Sequence, residues 1–285
     1  MTSDWARSKP SNVPDCVADD VARALAEDMG DGDCTASLIP ADTYLKTRVI
    51  CREHAVLAGR PWFDQTFAQL DAEVDVQWQV QDGDSIGPDM EICRLRGPAR
   101  AILSGERTAL NFLQTLSGTA SQARQFVNAV KGTNSIILDT RKTLPGLRLP
   151  QKYAVLCGGA SNHRIGLFDA VLIKENHISA AGSIRAALEA ASRNYPQLLL
   201  EVEVENLDQL EQAVTAGAHR ALLDNFTLAG LSEAVQRYKG RIQLEASGGI
   251  KLNTVRRVAE TGVDFISTGA ITKSVRATDF SMRFI

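Results

Sequence analysis

Charged and small polar residues follow six short apolar segments in the second half of the chain. The groups are Asp139-Thr140-Arg141-Lys142, Lys174-Glu175-Asn176-His177, Glu201–Glu205, Asp224-Asn225, Glu245–Gly249 and Ser267–Ala270. The apolar segments have the length of buried strands. One polar residue at a strand end is ordinary, but six such groups in succession favour side chains that share one site.

Cations are concentrated in the first part of this region. Six of them lie between positions 141 and 174, where Asp169 is the single acid: Arg141, Lys142, Arg148, Lys152, Arg164 and Lys174. A charge run is usually a solvated surface. Lys142 and Lys174, however, closely follow apolar strands, where barrel enzymes place their functional groups. We therefore predict a local site for an anionic substrate.

The acids come next. Glu201, Glu203 and Glu205 alternate with valines, so a strand would direct all three carboxylates to one face. Glu203, with Asp224 from the following strand, forms a pair suited to a hard cation such as Mg²⁺. Structural ion pairs with the nearby cations explain the same acids equally well.

Two late strands end in small residues, Ser247-Gly248-Gly249 and Thr268-Gly269-Ala270. Exposed backbone N–H groups next to a helix N-terminus bind phosphate well. Barrel enzymes place their phosphate sites in these late loops. The sequence therefore predicts a pocket for a substrate with several anionic groups, including a phosphate, together with a divalent metal.

Alternating strands and helices must position these groups. Apolar runs at 136–138, 170–173, 198–204, 221–223, 242–244 and 265–266 alternate in most places with helical stretches at 183–194, 207–216 and 228–238. This alternation predicts βαβ units and a parallel sheet, with a closed barrel favoured over a doubly wound fold. The first hundred residues mix a helix at 17–29 with an alternating strand at 74–80 and indicate a small α+β domain. A helix at 104–131, with Ser104 as its N-cap, joins the two parts.

Composition narrows the class of protein. The chain has 285 residues, is 44% hydrophobic and carries a net charge of −3, which argues against nucleic acid or an anionic membrane as a partner. No apolar run is long enough to cross a bilayer. The five cysteines are scattered and form no CxxC pair, as expected of reduced thiols in the cytoplasm. Residues 1–14 lack the apolar segment of a signal peptide.

The sequence resembles the quinolinate phosphoribosyltransferases over nearly its whole length. Asp139-Thr140-Arg141-Lys142-Thr143-Leu144-Pro145-Gly146-Leu147-Arg148 is similar to the family signature DTRKTTPGLR. The other matching segments are Gly32-Asp33-Cys34-Thr35, Glu106–Asn111, Lys152–Val155, Gly158-Gly159, Asn162-His163-Arg164, Leu172–His177, Glu201–Glu205, Asp224-Asn225 and Glu245–Gly249. Leu144 and Ala160 depart from the family pattern conservatively.

The resemblance implies a fold, a reaction and an assembly. The fold is an incomplete, seven-stranded-type α/β barrel at 117–275, preceded by an α+β sandwich domain at 1–116 that the segment 276–285 joins. The reaction transfers phosphoribose from phosphoribosyl pyrophosphate to quinolinate and releases pyrophosphate and CO₂. No organic cofactor is required. The resemblance also implies a homodimer in which Arg107, on the helix ahead of the barrel, contributes to the neighbouring subunit's site.

The resemblance also assigns the remaining site residues. Quinolinate is expected to bind Arg107, Arg141, His163, Arg164 and Lys174, with Thr140 also at the substrate site, and Lys142 is expected to face the pyrophosphate. Mg²⁺ and the ribose hydroxyls are assigned to Glu203 and Asp224. The 5′-phosphate is assigned to Ser247, Gly248, Gly249, Thr268, Gly269 and Ala270. Lys142, Lys174, Glu203 and Asp224 are the expected catalytic residues.

Three alternatives remain at this point. Lys174 at a strand end could be the Schiff-base lysine of a class I aldolase. A related type II phosphoribosyltransferase could use another acceptor, such as nicotinate. A catalytically silent barrel could bind phosphorylated metabolites and regulate a partner.

Overall fold

The computed structural model describes residues 13–285, which form two compact units. The first comprises the described residues up to Arg124 with Leu144–Gly159 and Ser274–Ile285, and the second comprises Gln125–Thr143 and Ala160–Lys273. The sequence-based division placed one boundary after residue 116. The compact units instead assign 117–124 and 144–159 to the first unit. The predicted absence of a signal segment concerns residues 1–14, most of which lie outside the described residues.

Antiparallel strands and helices build the first unit. Its strands are β1 (Tyr44–Cys51), β2 (Ala55–Val56), β3 (Asp75–Trp78), β4 (Ser85–Ile86), β5 (Glu91–Pro98) and β12 (Phe280–Phe284), and its helices include α1 (Val17–Met29), α2 (Arg60–Leu70) and α4 (Arg148–Cys157). A single 3₁₀ turn spans Ala36–Leu38. The main sheet has the order β12-β1-β5-β3, and β2 pairs with β4. Val76 and Trp78 are half-buried whereas Asp75 and Gln77 are exposed, as the alternation in sequence predicted.

The long helix α3 covers Ala99–Ala129. It begins five residues before Ser104, so the predicted N-cap at Ser104 is wrong. Ser104 lies inside the helix, and its hydroxyl donates to Asp33 Oδ2 over 2.7 Å. Leu110 and Leu113 of α3 pack in an apolar core with Phe63 and Ile92.

Parallel strands build the second unit. The strands are β6 (Ile136–Leu138), β7 (Val171–Ile173), β8 (Leu200–Val204), β9 (Arg220–Asp224), β10 (Gln243–Ser247) and β11 (Phe265–Ser267). The helices are α5 (Glu175–Ala181), α6 (Ile184–Asn194), α7 (Leu207–Thr215), α8 (Leu228–Tyr238), α9 (Val255–Ala259) and α10 (Ala270–Lys273). Side chains of Ser183, Asn206 and Thr227 cap α6, α7 and α8 by accepting backbone N–H groups of the first turn.

The six strands follow the order β6-β11-β10-β9-β8-β7, and every pairing is parallel. Within the described residues, β6 and β7 are not paired with each other, so the barrel is incomplete, as predicted. Its sheet has six strands, and Ser161 adds an isolated parallel bridge to Leu138. All six carboxyl ends lie at the same edge of this sheet, which is where the predicted site residues lie.

Helices of the described part of the chain are too short or too polar to cross a bilayer. All five cysteines are free thiols.

Candidate active site

A cleft of about 520 Å³ opens at the carboxyl ends of the parallel strands. Its lining is formed by Thr140, Arg141, Lys142, His163, Arg164, Leu172, Lys174, Glu203, Leu222, Asp224, Asn225, Glu245, Ser247, Gly248, Gly249 and Ser267. All of these residues belong to the second unit. The cleft therefore brings together eleven of the predicted site residues.

Cations of this lining lie close to one another. Burial, and secondarily the charge of Arg141, lowers the pKa of the Arg164 guanidinium. Two like charges held together in this way favour an anion between them. Arg148 and Lys152 belong to α4 of the first unit and are not among the residues that line this cleft.

Glu203 and Asp224 both accept side-chain hydrogen bonds, Glu203 from another element and Asp224 from the next residue. Lys174 Nζ donates to Glu203 Oε2 over 2.5 Å, and Asn225 Nδ2 donates to Asp224 Oδ2 over 2.8 Å. Glu203 is opposite Leu222 in the β8–β9 pairing, two residues before Asp224, so both acids lie on one face of adjacent strands. Glu205 lies beyond the end of β8 and is exposed. The predicted alternation therefore ends at Glu203.

Gly248 permits a close approach between two loops of the cleft. Its φ is +97°, and a β-carbon there would collide with the Asn225 side chain. Asn225 is itself left-handed, with a φ of 56°, and its backbone N–H donates to Ser247 O over 3.0 Å. A residue other than glycine would separate the β9 and β10 loops. The backbone at 247–249 consequently borders the cleft.

Four predicted residues do not line the cleft. Thr268 is buried, and its hydroxyl donates to Ile250 O and accepts from Ala270 N–H. Gly269 packs against Lys142, since a β-carbon at 269 would lie 3.0 Å from Lys142 Cδ. Gly269 thus borders Lys142, and none of the residues 268–270 is among those that line the cleft. Arg107 is exposed on α3, in the first unit.

His163 lies at the base of the cleft. Its Nδ1 accepts the Arg164 backbone N–H over 2.8 Å, while Nε2 lies 3.0 Å from Glu201 Oε2 and 3.5 Å from Glu245 Oε1. Burial raises the pKa of Glu201, and burial together with the charge of Glu201 raises the pKa of Glu245 to about 7. Both ring nitrogens therefore face protein groups.

Five further residues line the cleft and were not among the predicted site residues: Leu172, Leu222, Asn225, Glu245 and Ser267. Asn225, Glu245 and Ser267 all stand in the polar groups that end the strands, so their positions carried a usable signal. Leu172 and Leu222 are apolar members of strands and carried none, since apolar residues of a barrel strand face the helices as often as the interior.

Comparisons with known proteins identify the family. Residues 33–117 match the N-terminal domain of quinolinate phosphoribosyl transferase, and residues 119–283 match its C-terminal domain. The chain belongs to the quinolinate phosphoribosyltransferase family. The predicted resemblance is therefore confirmed.

Individual relatives match the chain over most of its length. A probable nicotinate-nucleotide pyrophosphorylase [carboxylating] from Bacillus subtilis is 39% identical over 257 residues, 90% of this chain and 89% of that protein. Quinolinate phosphoribosyltransferase [decarboxylating] 1b from Nicotiana tabacum is 38% identical, over 91% of this chain and 80% of that protein. The solved structure of the nicotinate-nucleotide pyrophosphorylase from Francisella tularensis superimposes with a TM-score of 0.93 at 44% identity and covers 98% of this chain and 99% of that one.

Proposed function

We propose that this chain is a decarboxylating quinolinate phosphoribosyltransferase. It transfers phosphoribose from phosphoribosyl pyrophosphate to quinolinate and gives nicotinate mononucleotide, pyrophosphate and CO₂, a step of NAD biosynthesis. The observation that carries the proposal is one cleft that gathers four cations with three carboxylates and a glycine loop. The cations are Arg141, Lys142, Arg164 and Lys174. The named relatives support the same reaction.

The charges of the cleft match the charges that this reaction develops. Breaking the bond between ribose C1 and pyrophosphate leaves positive charge on the ribose and negative charge on the leaving group. Lys142 stabilises the leaving group, and Glu203 and Asp224 stabilise the ribose. Attack by the pyridine nitrogen gives a cationic ring, which stabilises the electron pair left on the adjacent ring carbon when its carboxylate leaves as CO₂. That carbon then takes a proton from solvent.

Quinolinate carries two carboxylates, and Arg141, Arg164 and Lys174 supply three cations for them. The backbone at 247–249 is available for the 5′-phosphate, and Gly269 packs against Lys142. An anion that binds Lys174 competes with Glu203, because the two side chains are paired in the structure. Quinolinate binding would thus free the Glu203 carboxylate from its ion pair with Lys174, next to the ribose.

Mg²⁺ is part of the proposal. Glu203 and Asp224 offer hard oxygen donors on one face of adjacent strands, and both side chains reach the cleft, so this donor set fits the ion. When bound, Mg²⁺ neutralises pyrophosphate oxygens of the co-substrate. No organic cofactor is included in the proposal.

The aldolase alternative is less well supported. A Schiff base requires a neutral lysine, whereas the ion pair with Glu203 favours the ammonium form of Lys174. A related phosphoribosyltransferase with another acceptor shares the barrel but does not need cations for a second carboxylate. We therefore favour quinolinate.

The proposed reaction is tested by product release. Purified protein with quinolinate, phosphoribosyl pyrophosphate and Mg²⁺ is expected to release one CO₂ for each pyrophosphate, with neither product formed when quinolinate is omitted. Lys239→Ala changes a surface lysine that bonds Gly262 O and is expected to retain activity. Quinolinate-independent pyrophosphate release, or no turnover at all, would contradict the proposal.

We further propose a cytoplasmic homodimer in which Arg107 acts across the interface. The free cysteines are consistent with a reducing compartment. Arg107 is exposed on α3, and a two-fold axis would make its contribution reciprocal.

Complementation tests the shared site. Arg107→Ala and Lys142→Ala are each expected to be nearly inactive. An equal random mixture should regain about a quarter of wild-type activity, because half of the dimers are mixed and each has one intact site. Lys142→Ala mixed with Glu203→Ala is the control and should regain none, since both residues belong to the same unit. If mixed dimers form and Arg107→Ala with Lys142→Ala stays inactive, Arg107 does not act in trans.

A further inference from the structure

The segment Asn162–Arg164 carries one of the proposed quinolinate cations but belongs to no helix or strand. It follows the isolated bridge at Ser161 and precedes β7. Its conformation therefore depends on individual hydrogen bonds to side chains rather than on regular pairing with a neighbouring strand.

Asp139, at the end of β6, supplies the first of these bonds. Its carboxylate is fully buried and accepts the His163 backbone N–H over 2.8 Å and the Asn162 Nδ2 over 2.7 Å. A buried carboxylate that accepts two bonds from one segment holds that segment firmly. These two hydrogen bonds attach the segment to the end of β6.

The His163 ring attaches the segment to the opposite strands. Nδ1 accepts the Arg164 backbone N–H, so a neutral imidazole carries its proton on Nε2. Nε2 faces Glu201 of β8 at 3.0 Å and Glu245 of β10 at 3.5 Å. Both acids are 0% exposed, and Arg220 of β9, 1% exposed, lies 3.3 Å from Glu245 Oε2.

Burial of two adjacent carboxylates destabilises the folded state unless a nearby group compensates their charge. A metal ion is one candidate for that group, since His163, Glu201 and Glu245 offer three ligand atoms within 4.8 Å of one another. The ring tautomer opposes it, because a metal needs the lone pair of Nε2 while Nδ1 is already an acceptor. Arg220 also supplies a cation to the same acids.

We infer that Glu201 and Glu245 are positioning residues that act through the His163 ring to fix the backbone of Arg164. This inference rests on the proposed function and deepens it. It also gives His163 a role different from the one that the resemblance implied, since neither ring nitrogen is directed to a substrate carboxylate. Quinolinate binding then depends on a buried group that does not touch the substrate.

The first test compares steady-state constants. Glu201→Ala is expected to raise KM for quinolinate by about 10–100-fold and to change KM for phosphoribosyl pyrophosphate by less than about twofold. Glu201→Gln keeps the side-chain volume next to the ring and should recover most of the loss. Glu233→Ala, at an exposed α8 acid paired with Arg237, is the control and should leave both constants unchanged. Glu245→Ala tests the same route should Glu201→Ala fail to fold.

The second test is a double-mutant cycle on kcat/KM for quinolinate. In an Arg164→Ala background, Glu201→Ala is expected to cause no further loss, because its effect passes through Arg164. Additive losses, or a KM for quinolinate that stays unchanged while the thermal midpoint falls, would overturn the inference. Wild-type turnover distinguishes failure of the proposed function from failure of this inference. If the wild type lacks quinolinate-dependent turnover, the proposed function is wrong and the inference is wrong with it. If the wild type turns over normally and Glu201→Ala leaves KM for quinolinate unchanged, only the inference is wrong.

Discussion

Nicotinate is expected to be used at least about 10⁴-fold less efficiently than quinolinate, measured as kcat/KM with phosphoribosyl pyrophosphate held constant. Nicotinate has one carboxylate, so it leaves part of the Arg141, Arg164 and Lys174 cluster without an anion. A half-buried cation that loses solvent and gains no anionic partner weakens substrate binding. Arg164 is such a cation, because burial already lowers its pKa.

The discrimination should depend on the cluster itself. Arg164→Ala is expected to lower kcat/KM for quinolinate far more than for nicotinate, which narrows the ratio. Arg237→Ala, at an exposed surface ion pair, should leave the ratio unchanged. Comparable turnover of the two pyridines by the wild type would rule out recognition of two carboxylates and, with it, the proposed substrate.

Removal of either acid of the cleft is expected to lower kcat by about 10²–10³-fold with the fold retained. Glu203 and Asp224 are half-buried at the cleft, so their loss does not open a core. The wild type should also stop turning over in EDTA and recover when Mg²⁺ is restored. The measurements are kcat, thermal unfolding and Mg²⁺ titration of the chelated enzyme.

Glu205→Ala is the matched control, because Glu205 follows the same strand but is exposed beyond its end. Its activity should stay within about twofold of wild type. If the wild type is fully active in chelator, Glu203 and Asp224 serve as ion-pair partners of the kind seen with Lys174, and the metal proposal is wrong.

Periodicity predicted the elements of the barrel well. Helix α8 has the bounds Leu228–Tyr238 that its apolar spacing indicated, and β6 has the bounds Ile136–Leu138. Such patterns report which positions are buried along one element, and burial decides local structure. The family motifs then placed Arg141, Lys174, Glu203 and Asp224, all of which line one cleft.

Features that depend on contacts across the fold were harder to predict. His163 lines the cleft as expected, but the sequence carried no signal for its ring contacts with Glu201 and Glu245, which come from two other strands. Arg148 and Lys152 follow Arg141 closely in sequence but lie in the other unit, because the chain leaves the barrel between β6 and β7. Serine is a common N-cap residue, but the Ser104 hydroxyl donates a hydrogen bond to Asp33, which is distant in sequence.

The missing pair between β6 and β7 has a mechanical consequence. A cylinder closed by hydrogen bonds resists changes in its girth, whereas a split cylinder can widen along the split. Arg141 follows one lip of this split and Lys174 follows the other, while the acids and the glycine loop stand on the continuous wall. We therefore expect the distance between the two cations to be the easiest dimension of the site to change. A dianion bound by both residues would link the two strands that the backbone does not pair.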